Sequence, residues 1–169
     1  MTAVIPAYNS ASTLPRAIES VLRQTVQPAL IVVDDGSTDD TQEVLRRYGP
    51  KITVIHQANA GAGAARSAGT LRAKTDLIAY LDADDVWHDD KIERQLPLFS
   101  DPQVGLVSAA GQWIDPAGHV THVSRPALHG HVTRQLLMRN SVVTSSVVVR
   151  RSCMERLSTL FRPDSRLLT

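Results

Sequence analysis

The sequence predicts an α/β fold, a three-layer sandwich in which a mostly parallel sheet lies between two layers of helices. Short apolar segments alternate with longer stretches that carry apolar residues at helical spacing, the order expected of parallel strands joined by helices. The segment 30–33 is apolar at every position, which is typical of a parallel strand buried on both faces. A polar loop follows each early strand, and such loops meet at one edge of a parallel sheet.

The first half of the chain is predicted to contain three strand–loop–helix units and a fourth strand. The strands are predicted at 3–5, 30–33, 52–55 and 77–81. Pro6 is expected to end the first strand. Ser12 or Thr13 is the expected cap of the first helix, and Ser37 or Thr38 that of the second. An apolar face is predicted from Leu14, Ala17, Ile18, Val21 and Leu22 in the first helix. The second helix is predicted to carry Val44 and Leu45, and the third, rich in small residues, to run through Arg66, Ala68 and Leu71.

The second half is predicted to add a helix that carries Ile92, Leu96 and Leu98. Asp115 begins a predicted tight turn at 115–118 between two short strands. The other predicted elements are a strand at 104–109, a helix at 132–138, a strand at 142–149 and a helix at 152–160.

Composition excludes several classes of protein. The 169 residues carry a formal net charge of +1 and only 4% aromatic residues, which argues against a general nucleic-acid binder. Cys153 is the single cysteine, so we expect neither a disulfide framework nor a thiol-based zinc site. No apolar segment approaches the roughly 18 residues of a membrane span and no signal peptide is evident. We therefore expect a soluble, cytoplasmic protein.

A cluster of carboxylates follows the fourth strand. The apolar segment 78–81 leads directly into Asp82, Asp84 and Asp85. Hard oxygen ligands of this kind suit Mg²⁺ or Mn²⁺, which commonly use one or two carboxylates together with substrate phosphates. The position at a strand end therefore favours a metal-bridged diphosphate over a simple solvated turn.

Five ordered motifs carry a family resemblance. They are VIPAYN at 4–9, SVLRQT at 20–25, VVDDGSTD at 32–39, GAGAAR at 61–66 and LDADD at 81–85. Together they resemble the opening of a family 2 glycosyltransferase, and TSSVVVRR at 144–151 extends a weaker resemblance over nearly the whole chain. The resemblance implies a GT-A fold and an inverting transfer of sugar from a nucleotide-diphosphate sugar.

The resemblance assigns the nucleotide pocket to the loops after the first two strands. Pro6, Ala7, Tyr8 and Asn9 are expected to line it, with Tyr8 beside the base unless it is an ordinary buried tyrosine. Asp35 resembles the carboxylate that accepts from the base edge, a uracil being favoured. Its neighbour Asp34 is an alternative, and the two could instead only end the strand and cap the helix.

The glycine-rich loop after the third strand is expected to approach the diphosphate. Gly61 and Gly63 permit a close backbone approach, and Arg66 can oppose phosphate or carboxylate charge. A dinucleotide fingerprint is disfavoured because Arg66 stands where its third glycine would be. Ser67 departs mildly from the asparagine that is frequent there in the family.

By resemblance, the acidic motif contributes to donor and metal binding. Asp82 is expected to contact the ribose, Arg66 or the metal, with Ala83 in the same donor site. Asp84 is the expected ligand of Mn²⁺ or Mg²⁺, and Asp85 is expected to support it. Trp87 could either stack on a sugar or fill a gap in the core.

The catalytic base is the missing part of the predicted site. In the family it is an aspartate of a Glu-Asp pair well after the metal motif, and Asp164 lies in a segment that resembles the approach to that pair. Asp115 is better explained by a turn. The base is therefore unidentified in this sequence, and we expect it beyond Thr169.

The predicted organisation is one glycosyltransferase domain over residues 1–169, truncated before its base. Residues 1–85 are expected to form the half that binds the nucleotide-sugar donor. Residues 86–169 are expected to form an incomplete acceptor half.

The sequence thus predicts a metal-dependent inverting glycosyltransferase of polysaccharide or cell-surface glycan synthesis. The expected partners are a nucleotide-diphosphate sugar, preferably a UDP-sugar, and a glycan, lipid-linked or other hydroxyl acceptor, with no nucleic acid. The alternatives are a catalytically incomplete nucleotide-sugar binding domain and a sugar nucleotidyltransferase. The latter is disfavoured because no basic residue follows the first strand until Arg16. The expected location is cytoplasmic, free or peripheral at the inner face of the membrane.

Overall fold

The computed structural model describes residues 1–115, 117–124, 130 and 142–160, with the backbone alone for 156–160. The strands are β1 (Thr2–Ala7), β2 (Ala29–Asp34), β3 (Thr53–His56), β4 (Leu77–Tyr80), β5 (Leu106–Val107), β6 (Gln112–Ile114), β7 (Val120–Val123) and β8 (Val148–Arg150). The α-helices are α1 (Leu14–Leu22), α2 (Thr41–Tyr48), α3 (Ala62–Arg72), α4 (Lys91–Gln95) and α5 (Arg151–Leu160). Short 3₁₀ turns occupy Gly49–Lys51, Leu96–Ser100 and Thr144–Ser146.

Six strands form one sheet in the order β3-β2-β1-β4-β8-β5. The first four strands are mutually parallel, and β8 runs antiparallel to both β4 and β5. The order reverses direction between β1 and β4, which is where open α/β sheets bind ligands. Strands β6 and β7 form a separate two-stranded hairpin. The predicted mostly parallel α/β architecture is confirmed.

Strand β1 continues through Pro6, contrary to the prediction that this proline ends it. Pro6 pairs with Val33 of β2, whereas the pairing of β1 with β4 stops at Val4. The carbonyl of Val4 faces β4, so Pro6, two residues later, directs its nitrogen to the same side. The missing N–H therefore falls beyond the last β4 pair and costs no ladder hydrogen bond.

Two apolar clusters cover the two faces of the sheet and make the three-layer arrangement. On one face, Ile5 and Val32 pack with α1, α2 and residues of the second half such as Trp87 and Ile92. On the other face, Val4 and Val33 pack with α3 and with Val147 and Val149. Both clusters contain residues from before and after residue 85, so each is built from both halves of the chain.

Several predicted boundaries need correction. Helix α2 begins at Thr41 instead of after Ser37 or Thr38, because Thr41 Oγ1 accepts from Ser10 N and the preceding loop bonds elsewhere. Leu71 is 84% exposed and Leu98 is 55% exposed, so neither is a core residue. The predicted strand at 104–109 shortens to β5, and that at 142–149 contains a 3₁₀ turn at Thr144–Ser146 and becomes a strand only at β8. The predicted helix at 132–138 lies outside the described residues.

Helix α3 approaches the sheet closely at Gly69. A Cβ built at this glycine would overlap Val4 Cγ1 and lie 3.3 Å from Val33 Cγ2. Only hydrogen at this position lets the helix pack against β1 and β2 at the observed distance.

The segment after the acidic motif is held by buried polar contacts. Trp87 is 4% exposed and donates from Nε1 to Ser145 O at 2.6 Å. Lys91 Nζ lies 4.1 Å from the centroid of the Trp87 ring and donates to Gln95 Oε1 at 2.8 Å. Gln95 Nε2 in turn donates to Ser146 O at 3.0 Å. These contacts join α4 to the turn before β8.

We expect Gly69→Ala to destabilise the protein by about 1–3 kcal/mol, the usual cost of overpacking, despite the better helix propensity of alanine. Gly63→Ala is the matched control in the same helix, because no atom lies within 4 Å of the added Cβ. That variant should gain up to about 1 kcal/mol from helix propensity. Urea unfolding measures both, and equal effects at the two sites would contradict the packing argument.

Stability should rise with pH through the range in which Lys91 titrates. Burial lowers the pKa of Lys91 from 10.5 to about 7. Between pH 7 and 10.5 the unfolded chain binds a proton that the folded chain has released, so folding becomes more favourable as pH increases. Lys91→Met should therefore raise the melting temperature most near pH 7 and flatten the rise toward pH 9.5.

Thermal unfolding at several pH values measures this effect. Lys51→Met is the control, since the Lys51 side chain is exposed. An unchanged slope in Lys91→Met between pH 7 and 9.5 would show that the amine is solvated in the native protein.

Candidate functional site

Four polar segments lie at the carboxyl edge of the parallel strands, as predicted. We call them the first loop (8–13), the second loop (35–40), the third loop (57–61) and the acidic turn (82–85), which follow β1, β2, β3 and β4 respectively. Hydrogen bonds join the first three in sequence, and an ion pair from α3, which begins after the third loop, reaches the acidic turn. The four segments therefore form one continuous surface.

Asn9 joins the first loop to the second. Its backbone has φ of +48°, a left-handed conformation that asparagine tolerates better than most residues. Asn9 N donates to Ser37 Oγ at 3.0 Å, and Asn9 Oδ1 accepts from Thr38 N at 2.8 Å. A further bond runs from Ala11 N to Asp39 Oδ2 at 3.1 Å. The left-handed conformation thus directs both the backbone N–H and the side-chain oxygen of Asn9 toward the second loop.

The predicted pocket residues before Asn9 differ in exposure. Pro6 and Ala7 are buried at the end of β1, whereas Tyr8 is 49% exposed. The alternative of an ordinary buried tyrosine is therefore wrong. The Tyr8 ring is available at the edge of the sheet, directly beside the two loops that Asn9 joins.

Asp34 is a buried structural carboxylate. It is 1% exposed, accepts from Ser37 N at 3.0 Å through Oδ1, and lies 3.0 Å from His56 Nδ1 through Oδ2. Burial alone would raise the pKa of Asp34, but the hydrogen bonds from Ser37 and His56 outweigh it and hold this pKa below its usual value. Asp34 therefore closes the turn after β2 and ties it to the end of β3.

Asp35 organises the third loop. It is 2% exposed, and its Oδ1 accepts from Gln57 Nε2 at 2.7 Å and Ala60 N at 3.0 Å. Its Oδ2 accepts from Gly61 N at 2.8 Å. Burial would raise the pKa of Asp35, but these three bonds together lower it. The carboxylate is charged at neutral pH and keeps one acceptor position on Oδ2. Neither Asp34 nor Asp35 caps α2.

The glycines of these loops have distinct roles. Gly36 has φ of +77°, and a Cβ there would lie 2.9 Å from Asn59 N, so only glycine lets the second loop meet the third. Gly61 has φ of +89° immediately before α3. Gly63 lies in the first turn of α3, with no protein atom within 4 Å of the position a Cβ would take.

Arg66 of α3 and Asp82 of the acidic turn form an ion pair. Arg66 Nη2 lies 2.5 Å from Asp82 Oδ1, and both side chains are about one-third exposed or less. Asp82 N donates to Ser145 Oγ at 3.0 Å, which holds the turn in place. Arg66 Nε is buried and has no hydrogen-bond acceptor among the described residues. A buried donor without an acceptor is costly unless a ligand supplies one.

The other two carboxylates of the acidic turn, Asp84 and Asp85, reach the surface of the protein. Ala83 is buried between Asp82 and Asp84, while Asp84 and Asp85 are exposed. The pKa of Asp85 is raised above its usual value, mainly because the protein partly desolvates this carboxylate. A hydrogen bond with Ser145 lowers the pKa, whereas the nearby charges of Asp84 and Asp82 raise it further. A cation at this turn would relieve the repulsion among the three carboxylates.

The donor set is compatible with a divalent cation that the substrate helps to hold. Among the described residues no group of three or more His, Cys, Asp or Glu side chains is arranged to hold a metal by itself. Mg²⁺ and Mn²⁺ commonly use one or two carboxylates and complete their coordination with phosphate oxygens and water. Asp84 and Asp82 supply two such carboxylates, and Arg66 Nε, which has no acceptor in the described part of the chain, is a donor suited to a phosphate oxygen.

The catalytic base is not among the residues that the four segments bring together. Asp164 and Thr169 lie outside the described residues, so the expectation of a base beyond Thr169 stays a prediction. Asp115 lies in the hairpin turn, as expected: its carbonyl accepts from Gly118 N at 2.9 Å and its Oδ1 from His119 N at 2.9 Å. The bond from His119 N holds the pKa of Asp115 below its usual value, which makes this carboxylate a weaker base.

Some residues that shape the site were not recognised as such in the sequence. Trp87, for which sugar stacking and core packing were both open, is a core residue. Gln57 and Ser145 hold Asp35 and Asp82 from distant parts of the chain. The polar TSS segment at 144–146 within an apolar stretch was the available signal for Ser145.

In the described residues no helix is long and apolar enough to cross a bilayer.

Solved structures share the fold. Staphylococcus aureus TarS 1–349 superposes with a TM-score of 0.69 at 18% identity, covering 93% of this chain and 48% of TarS. A mannosyltransferase from Pyrobaculum calidifontis, solved with GDP-Man and Mn²⁺, gives a TM-score of 0.67 at 20% identity and covers 92% and 46%. At this identity the likeness establishes the GT-A fold alone.

Curated relatives are more similar in sequence. An uncharacterised glycosyltransferase of Nostoc sp. is 43% identical over 109 residues, which cover 62% of this chain and 34% of the relative. One from Rickettsia prowazekii is 34% identical over 126 residues, covering 73% and 40%. The putative teichuronic acid biosynthesis glycosyltransferase TuaG of Bacillus subtilis is 37% identical over 101 residues, covering 57% and 40%. The chain thus spans about a third to two fifths of these relatives.

The model of the family described as Glycosyl transferase family 2 matches residues 2–153, nearly the whole chain and all four segments of the site. The chain therefore belongs to glycosyl transferase family 2.

Proposed function

We propose that this glycosyltransferase is metal-dependent and inverting, and that it transfers sugar from a nucleotide-diphosphate sugar to a hydroxyl acceptor in polysaccharide or cell-surface glycan synthesis. The observation that carries the proposal concerns Arg66 Nε. This buried atom lies next to the ion pair of Arg66 with Asp82 and has no hydrogen-bond acceptor among the described residues. A diphosphate supplies the acceptor oxygen that this donor needs. TuaG supports the polysaccharide context, because its name refers to teichuronic acid synthesis.

In the proposed complex the nucleoside lies along the first and second loops. Tyr8 offers an exposed ring beside the base, and Pro6, Ala7 and Asn9 complete that side of the pocket. Asp35 Oδ2 has one free acceptor position for an N–H of the base, which favours uracil. TarS has been solved with UDP and with UDP-GlcNAc, which supports a uridine donor.

The diphosphate lies between α3 and the acidic turn in this proposal. Arg66 donates to a phosphate oxygen and keeps its ion pair with Asp82, so its charge is held in one orientation. Gly61, fixed by Asp35, places the start of α3 at the same edge. Asp84 and Asp82 would hold Mn²⁺ or Mg²⁺, which supplies Lewis-acid neutralisation of charge on the departing diphosphate.

The two halves of the chain divide the work in the proposal. Residues 1–85 form the donor half and residues 86–169 contribute to the acceptor half. The base that takes the acceptor proton is assigned to the Glu-Asp pair that the family resemblance implies, beyond Thr169. The protein would act in the cytoplasm, free or peripheral at the inner face of the membrane.

We expect Asp84→Asn to abolish the Mn²⁺-dependent part of nucleotide-sugar binding and to leave the metal-free part unchanged. The reason is that an amide is a neutral and weaker ligand for a hard cation than a carboxylate. Calorimetric titration with UDP, UDP-GlcNAc and GDP-Man, each with and without Mn²⁺, measures this.

Asp76→Asn is the matched control for that titration, because Asp76 is an exposed carboxylate immediately before β4, at the opposite edge of the sheet. Mn²⁺-enhanced binding that survives in Asp84→Asn would exclude the proposed metal site. Absence of any nucleotide binding to the unsubstituted chain would exclude the donor site altogether.

We expect Arg66→Lys to weaken binding of UDP by roughly ten- to a hundredfold, the equivalent of the ~1.5–3 kcal/mol of a hydrogen bond to a charged group. A lysine keeps the charge but cannot pair with Asp82 and donate to a phosphate from a fixed planar group. Arg72→Lys, in the last turn of the same helix and exposed, is the control and should bind normally. Equal affinities for UDP and uridine in the unsubstituted chain would show instead that Arg66 contacts no phosphate.

A further inference from the structure

The β6–β7 hairpin presents an exposed aromatic pair that the donor site does not use. Trp113 is 48% exposed, and its ring centroid lies 5.1 Å from that of His122, with the planes inclined by 56°. The two residues are direct cross-strand partners, so they stand on one face of the hairpin. We call Trp113 and His122 the aromatic face.

The other face of the hairpin is different in character. Gln112 and Val123 are also cross-strand partners and, by alternation along the strands, point away from the aromatic face. Val123 is 47% exposed, nearly the same as Trp113. The hairpin therefore exposes similar fractions of an aromatic and an aliphatic side chain on opposite faces.

The base of the hairpin is bonded to the same turn that holds the acidic motif. Ser124 N donates to Gly111 O at 2.9 Å and closes the hairpin. Ala109 N donates to Ser146 Oγ at 3.1 Å just before it. The adjacent Ser145 accepts from Asp82 N at 3.0 Å. Two consecutive serines thus link the residue that lies two positions before the hairpin base to the acidic turn.

The chemistry of the hairpin suits a neutral, hydroxyl-rich ligand. Between residues 111 and 124 the sequence contains no Lys or Arg, and the one carboxylate, Asp115, pairs with His119 at 3.2 Å. An anionic membrane or nucleic acid has no counter-charge here. Sugar rings combine an apolar C–H surface with hydroxyl groups, which match the Trp113 ring and the imidazole and hydroxyl groups near it.

We propose that the aromatic face binds a sugar ring of the acceptor glycan, with Trp113 stacking on the apolar surface of the ring and His122 bonding a hydroxyl group. This inference rests on the proposed transferase function, because it concerns the binding of the acceptor that would receive the sugar. It makes Trp113 and His122 specificity-determining residues on the acceptor side and leaves donor binding to the segments described above.

The test is binding of the chain to a panel of immobilised neutral oligosaccharides, with calorimetric binding of UDP in Mn²⁺ measured on the same samples. Trp113→Ala should lower the affinity for the oligosaccharides that bind by at least about tenfold, and His122→Ala by less, since hot-spot aromatic residues dominate such contacts. Trp113→Phe should restore part of the affinity. Val123→Ala, equally exposed on the opposite face, should change it less than about twofold.

The outcomes separate this inference from the proposed function. Unchanged UDP binding in every variant, with oligosaccharide affinity lowered strongly in Trp113→Ala, less in His122→Ala and hardly in Val123→Ala, supports sugar binding by the aromatic face. Retention of UDP binding while no oligosaccharide binds, or while Trp113→Ala binds oligosaccharides as the unsubstituted chain does, overturns the proposed role of the aromatic face and leaves the donor site intact. A dimer in sedimentation that Trp113→Ala converts to a monomer also overturns it, because the aromatic face would then contact a second copy.

Discussion

Two adjacent buried carboxylates at the end of β2 are the constraint on which the site depends. Asp34 and Asp35 are 1% and 2% exposed, and burying two like charges side by side is costly unless each is hydrogen-bonded. The bonds that satisfy them come from Ser37 and from the ends of β3 and the third loop. Since those donors must converge on β2, the loops after β2 and β3 take one conformation, and the start of α3 is placed by the same bonds. Asn9 extends the arrangement to the first loop. The hydrogen bonds that the two buried carboxylates require thus fix the conformation of the loops at the carboxyl edge.

Much of the fold could be predicted because its signals are local. The alternation of apolar strands and amphipathic helices predicts parallel units, and polar strand ends predict a common edge. Errors occurred where long-range contacts decide the outcome. Pro6 remains in β1 because β4 stops pairing at Val4, a fact about a strand far along the chain. Leu71 and Leu98 lie in segments predicted to be helical, and the sequence does not show that their apolar side chains are exposed. In short helices a displacement of one residue rotates a side chain by about 100°, and the boundary is set by tertiary contacts.

The candidate site also has features that local sequence motifs indicate and features that only long-range contacts decide. The acidic residues, glycines and Arg66 were recognisable from the sequence because charge, backbone freedom and a strand end combine in short motifs. The division of roles between Asp34 and Asp35 was not, since it depends on which donors approach: Asp34 bonds to His56 and the turn, and Asp35 to Gln57, Ala60 and Gly61. Trp87 was equally ambiguous, because tryptophan is common both in cores and in sugar sites. Its Nε1 bond to Ser145 O and its 4% exposure assign it to the core. The other tryptophan of the sequence, Trp113, is 48% exposed.

Ser145 and Ser146 connect the acidic turn with the core, with α4 and with the residue before the β6–β7 hairpin. Ser145 contacts the acidic turn through Asp82 N and the core through Trp87 Nε1, while Ser146 contacts α4 through Gln95 and the base of the hairpin through Ala109. Both serines are almost fully buried, so these bonds are not shared with solvent. A shift of the 3₁₀ turn at Thr144–Ser146 would move the acidic turn and the hairpin together. In the proposed complex, the spacing between a donor held at Asp82 and Asp84 and an acceptor held at Trp113 would depend on this one short turn, whose two serines are buried. Transfer between two substrates needs such a fixed separation, because reacting atoms must be held close and aligned.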